Sequence, residues 1–147
     1  MRGMKVRAEG AQPHDLSVVL DLLRRADLPT EGVAEHFRNF VVVRDDACVV
    51  GAAGLEVCGE DGLLRSVVVE PAQRGSGFGR LLLEGALDLA RRSELRALYL
   101  LTTTARAYFV NQGFLDCPRD QAPPGIRESW EFRVGCPSSC AFMKRSL

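Results

Sequence analysis

Neither sign of charge is in excess: 19 Lys and Arg balance 19 Asp and Glu in 147 residues. Such a chain has no long-range field to draw it to nucleic acid or an anionic bilayer, so neither partner is expected. No apolar run approaches the roughly 18 residues that a membrane span needs. Met1 to Gly10 lacks the long apolar stretch of a secretory signal. The five cysteines contain no CxxC pair, so they are expected to be reduced thiols of a cytoplasmic protein, with no metal bound. Repeats, low-complexity tracts and linkers are also missing, which leaves one domain over residues 1–147.

What is present is a chain 46% hydrophobic, long enough to bury a core. Met4 to Ala8 predicts a first strand. Leu16, Val19, Leu20 and Leu23 recur at helical spacing after Pro13 and Asp15, predicting an amphipathic helix. Thr30 caps a short second helix ending near Phe37. Phe40–Val43, Cys48–Val57 and Leu63–Val69 read as an antiparallel meander, with turns at Asp45-Asp46 and Glu60-Asp61-Gly62. Beyond it, Leu82, Leu83, Ala86, Leu87 and Ala90 mark one face of a long helix. Ala97 to Leu101 is a strand. A helix capped by Thr103 or Thr104 runs to about Gln112, where Gly113 stops it. Phe114 begins another strand, Gln121 to Gly125 is a loop, and Trp130–Val134 and Ala141–Lys144 are the last strand candidates.

The most telling stretch joins the meander to the long helix. Val67-Val68-Val69 ends at Glu70-Pro71, and Arg74-Gly75-Ser76-Gly77-Phe78-Gly79-Arg80 opens the helix. Free backbone N–H groups and a positive helix end thus come together at a strand's C-terminus, an arrangement suited to phosphate. Glycines let the backbone turn tightly and approach a ligand, and Arg74 and Arg80 add positive charge. Taken alone, the turn also fits a surface loop. A nucleotide P-loop is excluded, because Arg80-Leu81 stands where Lys and Ser or Thr are required. A dinucleotide fold is disfavoured, because about sixty residues precede the turn and too few follow for a second half-domain.

Arg74-x-x-Gly77-x-Gly79 after Val69-Glu70-Pro71 resembles the acetyl-CoA-binding motif of the GNAT superfamily of N-acetyltransferases. The resemblance implies an α/β fold with a mixed, twisted, splayed sheet flanked by helices. It implies acetyl-CoA as cosubstrate, lying between the strand ending at Val69 and the strand ending near Thr102. The pantetheine arm would pair with the backbone of Val67 and Val69, with Val68 between them. The pyrophosphate would rest on Arg74, Gly75, Ser76, Gly77, Phe78, Gly79 and Arg80. A backbone N–H of the same strand would face the thioester oxygen.

The family's later Asn and Tyr are absent: Thr102 holds the first position and Phe109 the second. Tyr108 lies one residue earlier, about 100° round the helix. It is the candidate for protonating the leaving thiolate, or else a packing residue. Leu101-Thr102-Thr103-Thr104, Tyr108-Phe109 and Gly113-Phe114 resemble the acetyltransferase domain of N-acetylglutamate synthases. Leu64-Arg65-Ser66-Val67, Ile126-Arg127-Glu128-Ser129, Glu131-Phe132 and Cys136-Pro137-Ser138-Ser139 are similar to short, free-standing acetyltransferases associated with arsenic resistance.

An acidic amino-acid acceptor needs a cation for its carboxylate, and arginine binds one bidentately. Arg65 is the first candidate, because it interrupts an apolar strand and must find a partner there. Its alternative role is a salt bridge to Glu56 on the neighbouring strand. Arg127 is the second candidate, or a solvated loop charge. Glu56 is the expected proton acceptor, acting through water, with Glu128 and Glu131 in reserve. Ser66 and Ser139 can orient water or substrate; His14 and His36 are given no catalytic part. Cys136 and Cys140 are read as core thiols, with a soft metalloid site as the alternative. The expected activity is acetyl transfer to a small amine, an acidic amino acid or an arsenic-containing analogue, by a homodimer of the kind common in relatives of this size. The alternatives are a protein or peptide N-acetyltransferase, and a non-catalytic acyl-CoA or metalloid sensor.

Overall fold

The computed structural model describes residues 6–135 and 139–147. Twelve elements follow in order: β1 (Glu9–Gly10), α1 (Leu16–Arg25), α2 (Val33–His36), β2 (Phe40–Asp45), β3 (Cys48–Cys58), β4 (Asp61–Val69), α3 (Phe78–Arg92), β5 (Ala97–Thr102), α4 (Arg106–Asn111), β6 (Leu115–Asp116), α5 (Pro124–Arg127) and β7 (Ala141–Ser146). The strands form one sheet in the order β1-β2-β3-β4-β5-β7-β6. β4 and β5 are parallel, while β1–β2, β2–β3, β5–β7 and β6–β7 are antiparallel. This is the mixed α/β sheet expected from the sequence.

By contact the chain divides into two compact units: Met1–Leu55 with Ser66–Leu89, and Glu56–Arg65 with Ala90–Leu147. In the first unit, Val19, Leu22 and Leu23 of α1 bury against Val33, Phe37, Phe40, Val42, Val49, Ala52 and Val68. The β-branched run of β2 fits a pleated, buried surface. Phe40 pairs with Gly54, and a Cβ at Gly54 would stand 2.2 Å from the Phe40 ring, so only glycine lets that ring lie flat on β3. The apolar face expected of α3 is the buried one: Leu82, Leu83, Ala86, Leu87 and Ala90 are all core residues. In the second unit, Leu63, Ala97, Tyr99, Ala122, Ile126 and Phe142 form the core. Tyr99 stacks on Phe142 with centroids 5.5 Å apart.

Several expectations are corrected. The first strand is Glu9–Gly10, paired with Val41 and Val42, and Met4 lies outside the described residues. Trp130–Val134 is no strand: Glu131–Gly135 is a π-helical turn. The Ser129 hydroxyl donates to the Ile126 carbonyl at 2.7 Å and accepts from the Phe132 N–H at 3.3 Å. Trp130 covers Gly135, where a Cβ would meet its ring at 2.3 Å. These local bonds outweigh the alternation of apolar residues that suggested a strand. Thr102, rather than Thr103 or Thr104, accepts the Ala105 N–H, at 3.0 Å, ahead of α4. Pro124–Arg127 is a helical turn that begins within the expected loop and runs past its end. Cys48, Cys58 and Cys117 are free thiols as expected, but Cys140 is disulfide-bonded. A disulfide sulfur is no thiolate ligand, so Cys140 has no thiolate to give a metalloid; Cys136 lies outside the described residues.

Candidate functional site

In the first unit, β4 ends at Val69 and a 3-10 turn covers Pro71–Gln73. The Glu70 N–H donates to the Val50 carbonyl at 2.7 Å, which anchors the strand end. Arg25 of α1 fixes the Glu70 side chain by two hydrogen bonds of 2.8 and 3.0 Å, holding that carboxyl below the usual range. Arg25 has no motif around it and was not singled out from sequence.

The turn then reverses. Gly75 has φ +86° and Gly77 φ +82°, and nothing lies within 4 Å of where a Cβ would stand at either. The left-handed backbone explains these two glycines, and the open space leaves their faces accessible. α3 begins at Phe78 and runs 15 residues, so its first N–H groups, at Phe78, Gly79 and Arg80, face outward from the helix end. Arg74 and Ser76 are exposed beside them. Arg80 is exposed too, and its Nε donates to Glu84 at 3.1 Å, a weak surface pair that an anion can outcompete. Outward amides, left-handed glycines and flanking arginines fit a pyrophosphate. Val68 is buried, while Val67 and Val69 are half-buried.

The second unit holds a buried charge cluster. The Arg65 side chain is 0% exposed, and its Nη1 donates to Glu56 Oε2 at 2.6 Å. Arg65 Nε lies 3.8 Å from Glu131 Oε2. β3 and β4 supply Glu56 and Arg65, and the π-helical turn supplies Glu131. The salt bridge weighed for Arg65 is therefore present, with a second carboxylate beside it. Glu131 is pushed up by burial, against the pull of Arg65 and with the push of Glu56. Its place in the cluster was hidden from the sequence because its segment read as a strand. Ser66, next along β4, is buried with φ +59°. A non-glycine residue held there inside a strand marks a local kink, and such kinks re-aim the neighbouring side chains.

The remaining candidates are placed as follows. Arg127 Nε donates to the Ala122 carbonyl at 2.9 Å, and its Nη2 donates to the Asp120 carbonyl. It thereby clasps its own loop. Tyr108 is 40% exposed on α4. Phe109 is buried, edge-on to Tyr108 and Phe114. Thr102 is half-buried and engaged with Ala105, and Ser139 and Glu128 are exposed. A cavity of about 480 Å³ between Leu115, Cys117, Gln121 and Lys144 contains none of the candidate residues. Among the described residues, no group of three or more His, Cys, Asp or Glu could hold a metal ion. No described helix is long and apolar enough to cross a membrane.

Residues 12–114 match the family model described as acetyltransferase (GNAT) family. An amino-acid acetyltransferase of Ralstonia nicotianae is 30% identical over 99 residues, covering 65% of this chain and 22% of that protein. One from Aliivibrio fischeri is 26% identical over 134 residues, 84% of this chain and 30% of that protein. The chain thus spans under a third of these relatives' length. Among solved structures, N-acetylglutamate synthase from Neisseria gonorrhoeae, complexed with coenzyme A and N-acetyl-glutamate, superposes with a TM-score of 0.85 at 22% identity. The match covers 99% of this chain and 36% of that one. Rv2747 from Mycobacterium tuberculosis, in complex with CoA and NLQ, gives 0.82 at 21% identity, covering 95% of this chain and 98% of that one.

Proposed function

The chain belongs to the GNAT acetyltransferase family, and from that premise we propose that residues 1–147 act as one domain that acetylates the amino group of an acidic amino acid or an arsenic-containing analogue. The observation that carries this reading is a buried arginine held between two carboxylates, Arg65 with Glu56 and Glu131. A guanidinium kept dry and fixed in this way is prepared to take a substrate carboxylate. The likeness to amino-acid acetyltransferases supports an amino acid as the acceptor.

Acetyl-CoA, when bound, supplies the acetyl thioester. The 74–80 turn and the start of α3 would hold its pyrophosphate, and the backbone of Val67 and Val69 its pantetheine arm. Transfer is direct, within one complex of enzyme and both substrates. Arg65 orients the acceptor through its carboxylate, which fixes the distance and angle of attack. Glu56 takes the amine proton through water, with Arg65 Nη1 on its Oε2 setting its orientation. Ser66 positions that water. Tyr108, in place of the Phe109 position, gives a proton to the departing thiolate. Arg127 and Ser139 line the acceptor side.

The test is release of free CoA from acetyl-CoA with a panel of amines: glutamate, aspartate, their arsenic and phosphorus analogues, glutamine, polyamines and peptides. Release with acidic amino acids or their analogues, and its loss in Arg65→Lys, is the expected result. Turnover confined to peptides or polyamines, or CoA binding without any turnover, overturns the reading.

A further inference from the structure

We infer that Glu131 is a resident occupant of the carboxylate subsite: its carboxyl group stands on Arg65 where the acceptor's carboxylate will pair, and it gives way when the acceptor binds. This rests on the proposed role of Arg65 as the acceptor's clamp.

The two carboxylates on Arg65 are not equivalent. Glu56 is hydrogen-bonded at 2.6 Å, on a strand that neighbours β4 in the sheet. Glu131 lies 3.8 Å from Nε, an ion-pair distance too long for a hydrogen bond. It comes from a five-residue π-helical turn, a form of helix that is rare and concentrated at functional sites. One partner is built into the sheet, and the other rests on a short turn.

Charge balance points the same way. One guanidinium neutralises one carboxylate, and Glu56 supplies that carboxylate at hydrogen-bond distance. With Glu131 ionised as well, these three side chains together carry a net negative charge, which is costly in a dry site. Burial favours the neutral form of Glu131 and outweighs the pull of Arg65 from β4, while Glu56 from β3 pushes the same way as burial. A substrate carboxylate arriving at Nε therefore displaces a weakly held group. When Glu131 is ionised it competes for the same position; when it is protonated it yields.

The occupant is tested with the whole chain, using acetyl transfer to glutamate and competitive inhibition by glutarate, a dicarboxylate with no amine to titrate. Wild type, Glu131→Gln and Glu131→Asp are compared from mildly acidic to mildly alkaline pH. The expected wild-type inhibition weakens as pH rises, because an ionised Glu131 holds its place. Glu131→Gln tightens glutarate by about tenfold at the alkaline end, the weight of one charged contact, and flattens the pH dependence. The change falls on KM for glutamate more than on kcat. Glu131→Asp, which keeps the charge but withdraws it by one methylene, tightens glutarate less and keeps the pH dependence. It carries the test if the Gln variant does not fold. Glutamate turnover with KM and inhibition unchanged in both variants overturns the occupant and leaves the proposed activity standing. Weaker glutarate binding in Glu131→Gln also overturns it, since Glu131 would then be supporting the site. A protein that neither acetylates acidic amino acids nor is inhibited by glutarate overturns both.

Discussion

Replacing Arg65 with Met tests the charge cluster most directly, because Met fills similar space without the charge. Glu56 and Glu131 would be left buried, side chains 8% and 12% exposed, with the Arg65 cation gone from between them. Removing one partner of a buried ion pair costs about 3–5 kcal/mol, against a total stability of about 5–15 kcal/mol. For a chain of this length the melting temperature should fall by roughly 10 °C. The pH dependence separates this cause from a simple packing defect. Without Arg65 the pull that opposes burial at Glu131 is gone, so its carboxyl, already raised by burial and Glu56, is pushed further above the ordinary glutamate range. A carboxyl with a raised folded-state value contributes fully below its unfolded value and loses that contribution as pH rises through the folded one. The deficit of Arg65→Met relative to wild type should therefore be largest at neutral pH and shrink on acidification. Urea midpoints at several pH values, with the slope m unchanged, measure it. Adding Glu56→Gln and Glu131→Gln should recover most of the loss at neutral pH. A deficit that is constant with pH, or none at all, would refute the argument that burial and charge hold this cluster together.

Other outcomes follow from the same geometry. Gly77→Ala puts a methyl on a left-handed backbone in open space, so it should cost about 1 kcal/mol of stability while weakening CoA binding by more than that strain accounts for; calorimetric titration with CoA against thermal melts separates the two. Asp15 is 2% exposed and bonded twice to Arg44 at 2.7 and 2.9 Å, and that hydrogen bonding lowers its pKa despite burial. Its contribution is thus present above the ordinary aspartate value and lost as pH falls through the lower folded one, so Asp15→Asn should cost about 2 kcal/mol at neutral pH and progressively less in acid. Tyr108→Phe should lower kcat by about 100-fold with little change in melting temperature, since the side chain is 40% exposed; an unchanged kcat would assign Tyr108 to packing.

Legibility followed the range of the forces involved. The Val67–Arg80 stretch could be read from sequence because strand end, proline, glycine turn and helix start are each set by neighbouring residues. α3 was equally plain, since its five buried positions repeat at helical spacing. α1 was legible as a helix, although Leu22 is buried where Leu16 and Leu20, only half-buried, were expected. The turn at Glu131–Gly135 was misread because Trp130, Phe132 and Val134 alternate as a strand would. Nothing local announces that the Ser129 hydroxyl and the Trp130 ring close a helical turn instead. Arg127 reads in the sequence as a substrate cation or a solvated loop charge, and its hydrogen bonds to the Asp120 and Ala122 carbonyls have no local signal. Asp15 marks the start of α1 in the sequence, but its pairing with Arg44 across 29 residues has no local signal.

By itself the sequence determined the family motif, the order of most elements and the candidate anion turn, because these depend on backbone chemistry that a few adjacent residues dictate. The tertiary structure decided which charges meet. Arg65 could be seen to need a partner, since a buried guanidinium without one is prohibitive. That it would take two carboxylates, one close on β3 and one loose on a π-helical turn some sixty-six residues away, depended on how distant segments pack. Residue type specifies which partnerships are favourable, and only the fold specifies which of them can be made.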